Sequence, residues 1–296
     1  MINAYANFTF KIDDNRTDLY LFQPGPVATV GKNTSPRLYL TVGCGTAFTR
    51  ALMLSFDMKS KTSKQSPWLF NEGNFIHLHF DPLRQRLFGL RSVFTFTLVM
   101  EEYNTKTLEV IQQITQQDTD QYKYPIRSSS AFDYKENWIV EVRSGYESGS
   151  LQAYYLKMNL KLIGKKKDIV VEFYRIGNLR SINTMTYDIK TKTILITSQF
   201  GSINNDLFMF YMNPYTSNYT QQTLLTKTPD NAALRDIQAV FDEKTRHVLF
   251  IIHYGQSSFD EDLCWSIIVQ FDTMKILSKK QINNEYYVSS WQLFNL

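Results

Sequence analysis

Along the 296 residues, an alternating apolar run that closes on an aromatic-acid pair, then a polar turn and a second apolar run, returns at a nearly constant interval. The clear copies are Ile76-His-Leu-His-Phe-Asp81 before Arg86-Leu-Phe-Gly-Leu90, Ser130-Ala-Phe-Asp133 before Trp138-Ile-Val-Glu-Val142, Met185-Thr-Tyr-Asp188 before Thr193-Ile-Leu-Ile-Thr197, and Ala239-Val-Phe-Asp242 before His247-Val-Leu-Phe-Ile251. Weaker copies are Val27-Ala-Thr-Val-Gly31 before Arg37-Leu-Tyr-Leu-Thr41, and Trp291-Gln-Leu-Phe-Asn295. The marks fall at 31, 81, 133, 188, 242 and 295, so the steps are 50, 52, 55, 54 and 53 residues. So steady a step implies one structural unit used repeatedly, whose apolar faces are buried only by stacking on its neighbours.

A second signal lies between the marks, where an apolar run, a polar turn and another extended run recur. It is seen at Phe56-Asp-Met-Lys-Ser-Lys-Thr62, Glu102-Tyr-Asn-Thr-Lys-Thr-Leu108, Lys157-Met-Asn-Leu-Lys161, Tyr211-Met-Asn-Pro-Tyr-Thr-Ser217 and Phe271-Asp-Thr-Met-Lys275. Period-two alternation, β-branched and aromatic residues, and Asn, Asp, Gly and Pro between the runs favour strands over helices. Each unit therefore reads as four short strands, and no long amphipathic helix stands out.

Four-stranded units of about fifty residues resemble the blades of a β-propeller, and the resemblance covers nearly the whole chain. The Gly-His and Trp-Asp marks of WD40 blades, the Gly-Gly of kelch and the Asp box of sialidases are absent from the sequence. The resemblance implies an all-β fold in which residues 1–296 form a single domain. Phe8–Phe22 reads as the third and fourth strands of a blade, and the chain stops where an innermost strand should end. The termini are therefore expected to share the closing blade of six four-stranded blades, with seven as the alternative. Ile169–Arg175 is either an outer strand or an insertion.

Composition narrows the functional classes. With 43% hydrophobic and 20% charged residues the chain has the profile of a folded protein. Its net charge of +4 is too small to imply nucleic acid or an anionic membrane. Lys161 with Lys165-Lys166-Lys167 reads as a solvated turn, so no nucleic-acid partner is expected. No apolar run approaches a membrane span, and the N-terminus lacks the basic start and apolar stretch of a signal peptide, so a cytoplasmic, monomeric protein is expected. Cys44 and Cys264 form no CxxC, and the four Asn-x-Ser/Thr sequons carry little weight without a signal peptide. Motifs such as G-x-S-x-G, a P-loop and H-E-x-x-H are absent, and no cofactor is expected.

Two sets of residues could carry chemistry. Arginines open the inner strands of three successive units at Arg127, Arg180 and Arg235. They could offer three guanidinium forks to a carboxylate or phosphate at the channel mouth. The structural alternative, favoured on the sequence, pairs each with an acid such as Asp236, Glu172 or Asp206. His77 and His79 lie two apart on an inner strand and so point the same way, as a base or a metal pair would require. A third ligand is not evident, so satisfied structural histidines are favoured and no metal is expected. Asp81, Asp133, Asp188 and Asp242 read as turn residues, and Asp260-Glu261-Asp262 as a solvated acidic loop.

The function expected is a non-catalytic binding or scaffold module that presents loops around the channel mouth to a protein or anionic ligand. Two alternatives stay open. One is an enzyme of hydrolase or lyase type with an anionic substrate in that mouth. The other is a glycan-binding propeller using loop aromatics such as Trp68, Tyr146 and Phe259.

Overall fold

The computed structural model describes residues 19–21, 27–29, 37–44, 50–67, 74–93, 97–117, 127–147, 150–159, 171–175, 181–199, 206–213, 219–220, 223–230, 232–256 and 263–282. Their strands form five antiparallel sheets in sequence order. The first sheet holds β1 (Leu19–Leu21), β2 (Val27–Thr29), β3 (Arg37–Cys44), β4 (Arg50–Asp57) and β5 (Thr62–Gln65). The second holds β6 (Asn74–Asp81), β7 (Arg86–Val93), β8 (Thr97–Tyr103) and β9 (Val110–Gln117). The third holds β10 (Arg127–Asp133), β11 (Trp138–Glu147), β12 (Ser150–Asn159) and β13 (Val171–Arg175). The fourth holds β14 (Ser181–Asp188), β15 (Thr193–Gln199), β16 (Leu207–Met212) and β17 (Thr223–Thr226). The fifth holds β18 (Ala232–Asp242), β19 (His247–Gln256), β20 (Leu263–Gln270) and β21 (Lys275–Ile282).

The second to fifth sheets are up-and-down meanders, and successive sheets meet face to face with the first strands β6, β10, β14 and β18 nearest one another. This is the arrangement of a β-propeller. Burial follows position in the blade. The second strand β15 is buried along almost its whole length, because it has a sheet on either side, whereas the outermost β21 is mostly exposed. Val171–Arg175 is an outer strand rather than an insertion, since β13 pairs with β12.

The first sheet corrects one expectation. Leu19–Leu21 is not an outer strand. It pairs with Val42–Cys44, on the edge of β3 where β2 pairs with Arg37–Tyr39, so β1 and β2 make a split inner edge. The closing blade expected from the termini falls on residues 1–18 and 283–296, outside the described residues. Leu38, Leu52, Leu54 and Phe56 are buried at 0–5% exposure. By strand alternation they lie on the face opposite Tyr39 and Met53.

The apolar cores lie between sheets. Tyr39 and Met53 pack on Leu78, Leu87 and Tyr103 between the first and second. Phe88, Leu90 and Met100 meet Phe132 and Ile139 between the second and third. Val140 and Val142 meet Ile182, Ile196 and Phe210 between the third and fourth, and Leu195, Leu207 and Met209 meet Leu234, Phe241 and Phe250 between the fourth and fifth.

The periodic aspartates end the inner strands and shape the turns. In each, the fifth residue takes a left-handed conformation: Gln85 (φ 55°), Asn137 (φ 65°), Lys192 (φ 58°) and Arg246 (φ 61°). One carboxylate oxygen of the Asp caps the turn by accepting backbone N–H groups, as Asp81 Oδ1 does from Leu83 and Arg84 and Asp133 Oδ1 does from Lys135 and Glu136. The other oxygen reaches the next blade. Asp133 Oδ2 accepts from Tyr187 (2.7 Å) and from the Lys192 ammonium, and Asp188 Oδ2 accepts from Arg246 Nη1 at 2.7 Å. Lys192 and Arg246 are the left-handed residues of their own turns. Glycine would cost less strain there, but it could not span the gap between blades.

Where the third blade has Asn137 at that position, Asp81 is bound instead by its own Arg84, whose Nη1 also donates to the Tyr134 carbonyl. The outer hairpins of the second and fifth sheets repeat the turn with apolar left-handed residues, Leu108 and Met274, tucked into the interblade cores, whereas the first sheet has the exposed Lys61 there. Burial alone would raise the Asp133 and Asp188 carboxyls. The hydrogen bonds and nearby cations outweigh it and leave both below their ordinary range.

Arg246 also lies 5.1 Å over the Phe241 ring and 4.9 Å over Phe271. Arg246→Leu would leave the fully buried Asp188 carboxylate without its cation, at a cost of about 2–3 kcal/mol, less than for breaking a fully buried pair because the guanidinium is partly solvated. The expected result is a lower urea midpoint than wild type, with most of the loss absent when the same change is made in an Asp188→Asn background.

Candidate functional site

Five residues are singled out from the sequence. Four lie within inner strands: His77 and His79 in β6, Arg127 at the start of β10, and Arg235 near the start of β18. Arg180 lies outside the described residues, one place before β14. Three of the inner strands carry a register shift near their start, between Asn74 and Ile76, between Ile182 and Thr184, and between Leu234 and Asp236. The extra residue in β18 is Arg235 itself.

Those bulges set the levels of the arginines. Arg127 pairs with Ser144, six residues into its second strand, and the residues at that level in the next two blades are Ser181 and Asp236. Arg127 and Arg235 thus lie near the starts of inner strands two blades apart but do not share one rung. A bulge turns its extra side chain out of the ladder. Arg235 is exposed, and its side chain lies over the backbone of β19, where a Cβ on Gly255 would stand 2.1 Å from Nε and 2.9 Å from Cγ. Glycine at 255 is what leaves room for the guanidinium. Among the described residues, no carboxylate lies within ion-pair distance of it, Asp236 included; Asp236 instead accepts a hydrogen bond from Gln238 Nε2 at 3.0 Å.

The histidines sit elsewhere. His77 and His79 are buried, and they share a face of the second sheet with Phe88 and Leu90, the face that meets the third sheet. His79 Nε2 and Ser130 Oγ of β10 share a hydrogen bond of 3.0 Å. Ser130 pairs across the sheet with the buried Glu141, so a polar seam of His77, His79, Ser130 and Glu141 runs through an otherwise apolar interface. Burial first, and then the neighbouring His77, push the His79 imidazole down to about 3 from its ordinary 6.5. It is neutral at physiological pH. It can tie two blades together by hydrogen bonding, and it is a poor proton acceptor.

A further row was missed on the sequence. Asp236, His253 and Cys264 are direct cross-strand neighbours on β18, β19 and β20 and therefore project from one face. Such a row has the composition of a cysteine nucleophile with base and orienting acid, yet burial and the Asp236 charge push the Cys264 thiol up to about 11. It stays a protonated, buried thiol. No sequence spacing marks the row, because it exists only through strand register. Among the described residues there is no group of three or more His, Cys, Asp or Glu placed to hold a metal ion.

No family model matches this chain, and no curated protein does. Solved structures do resemble it. A crystal structure of a protein of unknown function from Dyadobacter fermentans aligns over 90% of this chain and 85% of its own, at 8% identity and TM-score 0.56. A PL25 polysaccharide lyase, an ulvan lyase, aligns over 87% of this chain and 69% of its own, at 8% identity and TM-score 0.53. The Dos1 propeller aligns over 83% of this chain at 12% identity and TM-score 0.47, and the alignment spans only 58% of that protein's chain. At these identities the first two alignments speak to the fold alone.

Two outcomes follow from the buried groups. His79 must take up a proton on unfolding below pH 6.5, so stability is fully present above that value and falls as the pH drops toward about 3. The limiting slope is about 1.4 kcal/mol per pH unit for one proton. In His79→Gln the urea midpoint should be flatter between pH 6.5 and 4, above the range in which Asp133 and Asp188 titrate. Cys264 should react with a thiol reagent such as DTNB only once the protein is unfolded; rapid labelling of the native protein at Cys264, located by peptide mapping, would contradict the buried thiol.

Proposed function

We propose that this propeller is a non-catalytic binding module that grips an anionic segment of a protein partner at the starts of its inner strands. Arg235 is the anchor, and Arg127, which opens β10, and Arg180, just before β14 in the sequence, are its candidate companions. One observation carries the reading: Arg235 is bulged out of its strand, exposed, and held over a glycine with no carboxylate within ion-pair distance among the described residues, although Asp236 is next to it in the sequence. A structural arginine in a blade is expected to close an ion pair, as Arg246 and Arg86 do. An arginine left exposed, with no ion pair among the described residues, is available to accept a carboxylate or phosphate fork from outside.

The histidine chemistry that an enzyme would use supports this choice. His79 is sealed between blades and held neutral, which suits it to a structural role. The arginine starts instead lie on the face where the loops between second and third strands also emerge, which fits a partner lying across the disc.

The reading is tested by titrating the protein with a fluorescein-labelled oligoglutamate peptide and following anisotropy. Arg235→Ala should weaken binding about tenfold, the loss of one charge-assisted hydrogen-bond pair, while leaving the melting temperature unchanged. Gly255→Ala should also weaken it, because the new Cβ displaces the guanidinium. Affinity that is unchanged in both variants, or wild-type protein that does not bind, would sink the proposal.

A further inference from the structure

The outer strands of the blades form the rim of the disc, and each presents alternate N–H and C=O groups outward. Four of the five rim strands carry the usual guards against edge pairing. β5 and β17 are only four residues long, and β5 includes Lys64. β13 carries Glu172 and Arg175, and β21 carries the exposed Lys275, Lys279 and Lys280.

β9 has none of these guards. It is eight residues long, Val110-Ile-Gln-Gln-Ile-Thr-Gln-Gln117, with no charge and no proline. Among the described strands it pairs only with β8. Val110 is 38% exposed and Ile111 58%, and Gln113 and Thr115 are exposed as well. Its composition, β-branched residues interleaved with glutamine, is that of segments that pair readily as strands.

We propose that β9 is a self-association edge, on which a second copy of this chain adds its own β9 antiparallel. The missing guard is what selects a second copy. Like charges on a rim strand repel their own duplicates, as three lysines would on β21, whereas two copies of β9 meet with no charge on either side. A two-fold axis through Gln113 sets that residue opposite its duplicate and Ile111 opposite Thr115 on the exposed face. The contact is isologous and uses up the edge of each β9 that no described strand pairs with, so the assembly closes as a dimer in which two blades merge into one eight-stranded sheet.

Sedimentation velocity of the whole chain over a rising concentration series tests this. Wild type should pass from monomer to dimer, and Ile111→Lys with Gln113→Lys should weaken the dimer by at least about tenfold, since lysines would then face lysines across the axis. Both positions are exposed, and an unchanged melting temperature confirms that the variant is folded. Ile111→Lys alone is the milder second variant and should give an intermediate shift. Lys279→Glu on β21 should leave the dimer unchanged. A wild-type chain that stays monomeric throughout, including one that captures an unlike neutral strand, overturns the proposal, as does a dimer that survives both lysine variants.

Discussion

Everything in this protein rests on sheets being buried on two faces at once. A second strand such as β15, with five consecutive buried positions, can exist only if another sheet lies on each side of it. A single blade could not bury such a strand, so blade and neighbour form together. The interblade cores are continuous aliphatic and aromatic layers, and some of the polar groups admitted to them are tied across the seam. His79 to Ser130 is one such tie, and the Ser129 hydroxyl accepting from the Met185 amide at 3.1 Å is another.

The turn aspartates add direction to that packing. Each carboxylate divides its oxygens, one closing its own turn and, in Asp133 and Asp188, the other held by the following blade. Face-to-face apolar packing tolerates sliding, and a charged hydrogen bond at one end of the sheet does not. The linkage therefore favours one stagger between blades. The third blade shows what happens when the cation is missing: Asn137 cannot replace it, and Asp81 turns to Arg84 of its own turn.

The periodic strands and turn aspartates were legible in the sequence because they depend on local chemistry: alternation, side-chain capping and a left-handed fifth residue. Four of the spaced marks fall on aspartates that end inner strands. Leu19–Leu21 was misread because β1 is too short for its period to distinguish an inner from an outer strand; only pairing to β3 decides it. The arginines were legible as a recurrence but not as geometry. Bulges near the starts of three inner strands alter the register, and a bulge leaves no mark in residue type. The exposure of Arg235, its lack of an ion pair among the described residues, and the room made for it by Gly255 on the next strand could not be read from either residue alone.

The sequence by itself determined the repeating four-stranded unit, the all-β class and the chemistry of each turn, since these follow from neighbours a few residues apart. Tertiary structure decided which side chains meet across sheets. It sealed the two histidines between blades, set Asp236, His253 and Cys264 in a row, freed Arg235 from its neighbouring acid, and put an uncharged β9 on the rim. The reason is physical: burial and pairing are set by strands 10 to 60 residues apart, as with His79 and Ser130, which are 51 residues apart, and the local pattern carries no record of that distance.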